Sequence, residues 1–328
     1  MCWALTIRVD CKEPNNSGPT WEPQRESTMR GVPLLVFFTV CQFLFLVAIN
    51  WRSTEKSNGR GLMAASLDKF PSSKMQCQDV SNNNATIHSA KSVLVPGYPG
   101  SGNDLVRNIV KHLTGLEGRD IYLDVHCAPQ TNTATCKTHW PVFRRHPPAD
   151  LKENFHSSVL LLIRNPSRSL ASHFNYEFES KNNLTDHSQQ APEADWVLWR
   201  DENFGRQIRL WKKVITWWMT SDVYHVQTVI PYEKLVDDTT GPALTQAIAD
   251  QLNTAGFSVA SDTACQWHWC VKQRATVKRA PHTYQPGFTA HQTGVMLKLI
   301  QQLIDEYSNH PMLSRALNEY KADITSHL

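Results

Sequence analysis

Apolar residues fall into three patterns along this chain: one long unbroken run, several short runs, and stripes at helical spacing. The long run, Val32–Ile49, holds 18 residues without a charge, close to the shortest helix that crosses a bilayer. A cleavable signal peptide has a shorter apolar core nearer its start and a small-x-small site after it, which is missing here. The pattern predicts an uncleaved signal anchor over residues 32–50, preceded by a short cytoplasmic tail over 1–31. Beyond the anchor the chain turns rich in Ser and Asn and loses periodicity, which predicts a flexible stem over residues 51–89. A compact lumenal domain then occupies residues 90–328.

Within that domain strands and helices alternate. Ser92–Pro96 and Ser158–Ile163 are short apolar runs suited to strands buried on both faces, and Val226–Ile230 reads as a further strand after a long helix. Helical stripes cover Asp104–Leu113, Ser167–Glu179, Asn203–Met219, Thr293–Tyr307 and Met312–Lys321. This alternation predicts an α/β fold, a P-loop-like, doubly wound parallel sheet flanked by helices. The segment between Glu177 and Glu202 carries several charges and no periodicity, and reads as a loop over an acceptor site.

The first strand runs into Gly97-Tyr98-Pro99-Gly100-Ser101-Gly102-Asn103-Asp104, a glycine-rich turn that opens a helix. Such a turn aims backbone N–H groups and a helix N-terminus at an anion. Gly97 and Gly102 have the GxxxxG spacing of a nucleotide-hydrolysing loop, but Asn103 and Asp104 stand where Lys and Ser/Thr would hold phosphate and Mg²⁺. The loop therefore suits a phosphate ester handled without a metal. A net charge of only +3 excludes nucleic-acid binding by bulk electrostatics, so the anion site must be local.

Compartment signals are mixed. Basic residues flank the anchor on both sides, so the positive-inside rule does not decide orientation. Sequons at Asn84 and Asn183 follow the anchor, and one at Asn15 precedes it. Cys127 with Cys136, and Cys265 with Cys270, are close enough to close small disulfide loops in an oxidising lumen, or to remain buried thiols. Five Trp residues crowd positions 196–218. Trp211 and Trp218 share one buried helix face, while Trp196 and Trp199 are open to either core packing or stacking on a sugar.

Three further segments narrow the chemistry. Lys137-Thr138-His139-Trp140-Pro141 resembles the KTHxP segment of sulfotransferases that use 3′-phosphoadenosine 5′-phosphosulfate (PAPS). Arg164 and Ser172, eight residues apart in the run Leu160–Phe174 (LLLIRNPSRSLASHF), resemble that family's 3′-phosphate motif. Tyr232-Glu233-Lys234-Leu235 is similar to its YEDL segment. The segments follow family order, and the resemblance covers about residues 90–300. The Pro99-Gly100-Ser101-Gly102-Asn103 form of the loop is closest to the sulfotransferase domains of WSC-domain-containing proteins, although the stem holds no cysteine-rich WSC module.

The resemblance implies a Golgi-type, single-pass type II membrane enzyme that sulfates a hydroxyl, on a glycan or on a protein tyrosine. It implies that Pro99, Gly100, Ser101, Gly102, Asn103 and Asp104 cradle the 5′-phosphosulfate. Lys137 would reach the bridging oxygen and the sulfuryl group, and His139 would take the acceptor proton. Arg164 and Ser172 would bind the 3′-phosphate. No metal and no nucleic acid are expected. The chain also departs from the family. Gly100 stands where cytosolic-type members carry Lys, a charge that Arg107 is positioned in sequence to supply. The C-terminal GxxGDWK signature is absent, and Lys278 and Arg279, ahead of Gly287-Phe288-Thr289, read either as its remnant on the 3′-phosphate or as solvated surface charge. The rival readings are a membrane-anchored binding pseudoenzyme and a P-loop kinase, the latter opposed by the missing Lys-Ser/Thr pair.

Overall fold

A computed structural model describes residues 91–121, 133–143, 155–185, 188–273 and 283–327. The predicted tail, anchor and stem lie outside them, as do Cys127, Lys278 and Arg279. Among the described residues, no helix is long and apolar enough to cross a membrane.

The elements in chain order are β1 (Val93–Pro96), α1 (Asn103–Thr114), β2 (Glu117–Asp120), β3 (Thr133–Thr138), β4 (Ser158–Ile163), α2 (Pro166–Lys181) and α3 (Glu193–Met219). They continue with β5 (His225–Pro231), α4 (Tyr232–Leu235), α5 (Gly241–Thr254), α6 (Thr263–His268), α7 (Ala290–Glu306) and α8 (Pro311–Thr325). A π-helical turn, Trp269–Gln273, extends α6. β1 pairs with β3 and β3 with β2, all parallel, and β4 pairs in parallel with β5. Two parallel bridges, Ser92–Phe155 and Gly97–Leu162, join β1 to the β4 strand and its approach. The order across the sheets is thus β2-β3-β1-β4-β5. The α/β expectation with small parallel sheets and flanking helices is met.

Alternating residues of the central strands feed two cores. On one face Leu94, Val159, Leu161, Ile163 and Val229 meet Trp211, Ile215 and Trp218 of α3 and the apolar stripes of α7 and α8. On the other, Val93, Val95, Leu160, Leu162 and Ile230 meet Val106, Ile109, Val110 and Leu113 of α1 and Ile248 and Leu252 of α5. Burial on both faces explains why β1 and β4 read as continuous apolar runs. β1 and β4 lie side by side, yet the chain leaves β1 toward β2 and leaves β4 toward β5. Such a switch point opens a crevice at the carboxyl ends of the two strands. The glycine turn follows β1 there, and Arg164 follows β4.

Several boundaries differ from the sequence pattern. The pattern predicts neither β2 (EGRD) nor β3 (TATCKT), because both are polar. β3 is nonetheless buried, held between β1 and β2. α3 starts at Glu193 rather than Asn203, after Pro192 and with Glu193 and Asp195 in its first turn, so the loop predicted over 177–202 shrinks to 182–192. Burial of Trp196 against Phe174 and Phe288 accounts for the extra turns.

Trp211 ties the core to the crevice, because its indole Nε1–H donates to the carbonyl of Arg164 at 3.0 Å. Replacing Trp211 by Phe removes that bond and leaves a small void. The variant is expected to be about 2 kcal/mol less stable in urea unfolding.

Candidate functional site

The turn after β1 is shaped by two glycines in the left-handed region, Gly100 (φ +79°) and Gly102 (φ +100°). Conformation alone favours glycine there, and packing requires it. A Cβ on Gly100 would stand 2.5 Å from the carbonyl oxygen of Ser169 and 2.8 Å from the backbone nitrogen of His173, both on α2. A Cβ on Gly102 would stand 2.3 Å from the ring of Tyr232. No side chain fits at Gly100, which explains why the lysine expected from the resemblance is missing.

Hydrogen bonds hold the turn in place. Ser101 N–H donates to Tyr98 O at 3.1 Å and Gly97 N–H to Thr138 O at 3.1 Å. Asn103 reaches back with Nδ2 to Val95 O at 3.2 Å. Helix α1 begins at this point with no side-chain cap, and its amides at Leu105 and Val106 donate to Gly102 O at 3.0 and 3.4 Å. Ser101 Oγ and Asn103 Oδ1 are buried without a hydrogen-bond partner. The Ser101 hydroxyl can donate to a bound phosphate ester, whereas Asn103 Oδ1 is an acceptor and cannot bond an anion.

The second wall comes from the chain after β4 and β5. Arg164 donates from its guanidinium to Gly100 O at 2.7 Å and lies over the Tyr232 ring, 4.3 Å from its centroid. Tyr232 is therefore packed against both Gly102 and Arg164, and Glu233 accepts the Asn165 N–H at 3.1 Å. The YEDL-like segment thus sets the backbone that carries Arg164. Asn165 caps α2 by accepting from Ser167 N–H at 3.0 Å. Ser172, two turns along α2, shares with Arg164 the lining of a cavity of about 650 Å³. Trp196, Tyr284 and Phe288 form its aromatic side, and Arg168, paired with Asp323 at 3.0 Å, its polar side.

The third wall is the end of β3. His139 is buried, and its Nδ1 lies 2.7 Å from Gly97 O. A carbonyl only accepts, so Nδ1 carries the proton and Nε2 is the basic nitrogen. Burial, with the nearby charge of Lys137, lowers the His139 pKa to about 4, against smaller opposing effects of Gly97 O and Asp120. The imidazole is neutral at lumenal and cytosolic pH. Lys137 forms a 3.0 Å ion pair with Asp120 at the end of β2, and both side chains are largely buried.

The cavity lined by Arg164 and Ser172 includes neither Lys137 nor His139. The structure sets His139, Arg164 and the backbone of Ser172 against the turn, with Lys137 close enough to influence the His139 charge. It does not bring Arg107 with them. That side chain donates from Nε and NH2 to Gly118 O at 3.0 and 2.7 Å and pairs with Asp104 at 3.3 Å. Its guanidinium is committed to the β2 carbonyl and the Asp104 carboxylate, not to the place of the missing lysine at Gly100.

Sequence reading missed Asp120, which only the register of β2 with β3 aligns with Lys137. It missed His173 too, buried behind Gly100, with Nε2 3.1 Å from Glu177 and its ring edge-on to Tyr98. Trp196 is core, whereas Trp199 is half-buried and donates its indole N–H to Glu177 at 2.8 Å. Cys136 and Cys265 are disulfide-bonded. Cys270 is a buried thiol, so the Cys265–Cys270 loop is corrected: those two do not pair. Asn183 is exposed in a surface turn with φ +54°.

The chain matches no protein-family model, no curated protein and no solved structure.

Two outcomes test this geometry. Gly100→Ala combines a strained φ with a backbone clash and is expected to destabilise the domain by about 3 kcal/mol in urea unfolding. His139 has a folded pKa below its unfolded value, so the unfolded chain binds the extra proton as the pH drops. Stability is therefore fully present above about pH 6.5 and declines toward the folded pKa of about 4, by about 3 kcal/mol for this group. His139→Gln should flatten that part of the stability–pH curve between pH 6.5 and 4, measured by denaturant unfolding.

Proposed function

We propose that the domain is a sulfotransferase that moves a sulfuryl group from PAPS to an acceptor hydroxyl, on a glycan. The observation that carries this reading is His139. It is a neutral, buried imidazole fixed in one tautomer by Gly97 O at 2.7 Å, two residues from Lys137 and beside an uncapped, glycine-shaped anion turn.

Ser101, Gly102, Asn103 and Asp104 would hold the 5′-phosphosulfate through the turn and the first amides of α1. Arg164 and Ser172 would hold the 3′-phosphate, with Lys278 and Arg279 contributing from outside the described residues. The donor supplies an activated sulfuryl group on a phosphate leaving group. Lys137 places a positive charge where negative charge grows on that leaving oxygen. His139 Nε2 accepts the acceptor's hydroxyl proton. Its low pKa in the ligand-free protein does not disqualify it. A polyanionic donor nearby raises the pKa of the imidazole, countering Lys137 and strengthening the base once the donor is in place.

The reading also places the domain on the lumenal side of a single-pass type II Golgi membrane protein. The apolar run at 32–49, the disulfides at Cys136 and Cys265, and the exposed sequon at Asn183 support it.

Desulfated donor, 3′,5′-ADP, is expected to raise the melting temperature of the protein by several degrees more than ATP with Mg²⁺. Equal stabilisation by the two nucleotides overturns the donor assignment. Arg164→Ala should weaken 3′,5′-ADP binding tenfold or more. His139→Ala should keep that binding yet lose transfer of labelled sulfate to a panel of N- and O-glycans and tyrosine peptides, and the panel also identifies the acceptor class.

A further inference from the structure

The ion pair between Lys137 and Asp120 is the feature of the crevice that the resemblance does not account for. β2 and β3 pair in parallel with Asp120 opposite Lys137, so the register of the sheet alone puts the carboxylate beside the ammonium. The Nζ–Oδ2 distance is 3.0 Å, with side-chain exposures of 17% for Lys137 and 9% for Asp120. Both charges are largely withdrawn from water, where an unpaired ammonium would be strongly unfavourable. The same strand end is fixed from behind, because Ile121 N–H donates to Lys137 O at 3.1 Å. A lysine side chain is a compact charge on a flexible four-carbon stem and has no preferred direction of its own. Here a buried acid on the neighbouring strand supplies one, two residues before His139.

We propose that Asp120 is the positioning residue for Lys137: it holds the ammonium at the mouth of the glycine turn, where the leaving phosphate oxygen develops its charge. This inference rests on the sulfotransferase reading. Asp120 touches no reacting atom and acts through the lysine. Its own negative charge opposes the binding of a polyanionic donor, so its effects on binding and on turnover have opposite signs. A residue needed only for folding would not separate the two.

Hydrolysis of PAPS tests this without knowledge of the acceptor. Water attacks sulfur, the bond from sulfur to the phosphate oxygen breaks, and sulfate, 3′,5′-ADP and protons are released. The full chain carrying Asp120→Asn is expected to bind 3′,5′-ADP at least as tightly as wild type while releasing sulfate from PAPS tenfold or more slowly. Because Asp120 acts through Lys137, the double variant D120N/K137A should turn over no more slowly than K137A alone. That pair also keeps the test decisive if Asp120→Asn melts early, since the uncompensated ammonium is then gone. Unchanged turnover in Asp120→Asn, a parallel loss of binding and turnover, or additive losses in the double variant overturns the proposal. If wild type fails to bind 3′,5′-ADP, the donor reading itself falls, whereas binding without the split overturns the role of Asp120 alone.

Discussion

The structure depends on the close seating of one glycine turn between three walls. Gly100 lies so near the α2 backbone, and Gly102 so near the Tyr232 ring, that a single methyl group at either would collide. That proximity lets Arg164 reach the Gly100 carbonyl and lets His139 reach the Gly97 carbonyl, each at 2.7 Å. One turn thereby orients a cation on one side and a neutral imidazole on the other. Close packing makes this constraint rigid, because a turn with no spare volume cannot shift without moving its neighbours.

The electrostatics follow from the same arrangement. Two partly buried cationic side chains end the strands around the turn, and each is matched. Arg164 is satisfied by a carbonyl and an aromatic face. Lys137 is satisfied by a carboxylate. The imidazole of His139 is kept neutral by burial and by the lysine charge. A site built this way holds positive charge ready without leaving it bare in the ligand-free protein, and an arriving polyanion alters the balance at every one of these groups.

The supporting shell is drawn from distant parts of the chain. Glu233 after β5 fixes the amide of Asn165 after β4, and Asp323 near the end of α8 accepts from Asn165 and pairs with Arg168. Trp211 of α3 bonds the carbonyl of Arg164 from the core side. Arg164 is therefore placed by α3, α4 and α8 together, which gives the YEDL-like segment and the C-terminal helix a physical role in the same crevice.

Local pattern was enough to determine the buried central strands, most of the long helices and the glycine turn. Apolar runs and helical stripes are local consequences of burial on two faces. Lys137, His139, Arg164 and Ser172 were legible as motif resemblances rather than from periodicity: the pattern marks the strand that ends before Arg164 but not β3, which carries Lys137 and leads into His139. Only the tertiary structure decided how polar β2 and β3 join the sheet, why Gly100 excludes a lysine, and where Arg107 points. It alone paired Lys137 with Asp120, set His139 on Gly97 O, and left Cys270 a thiol. These outcomes rest on strand register and on contacts between residues far apart in the chain, and no local periodicity encodes either.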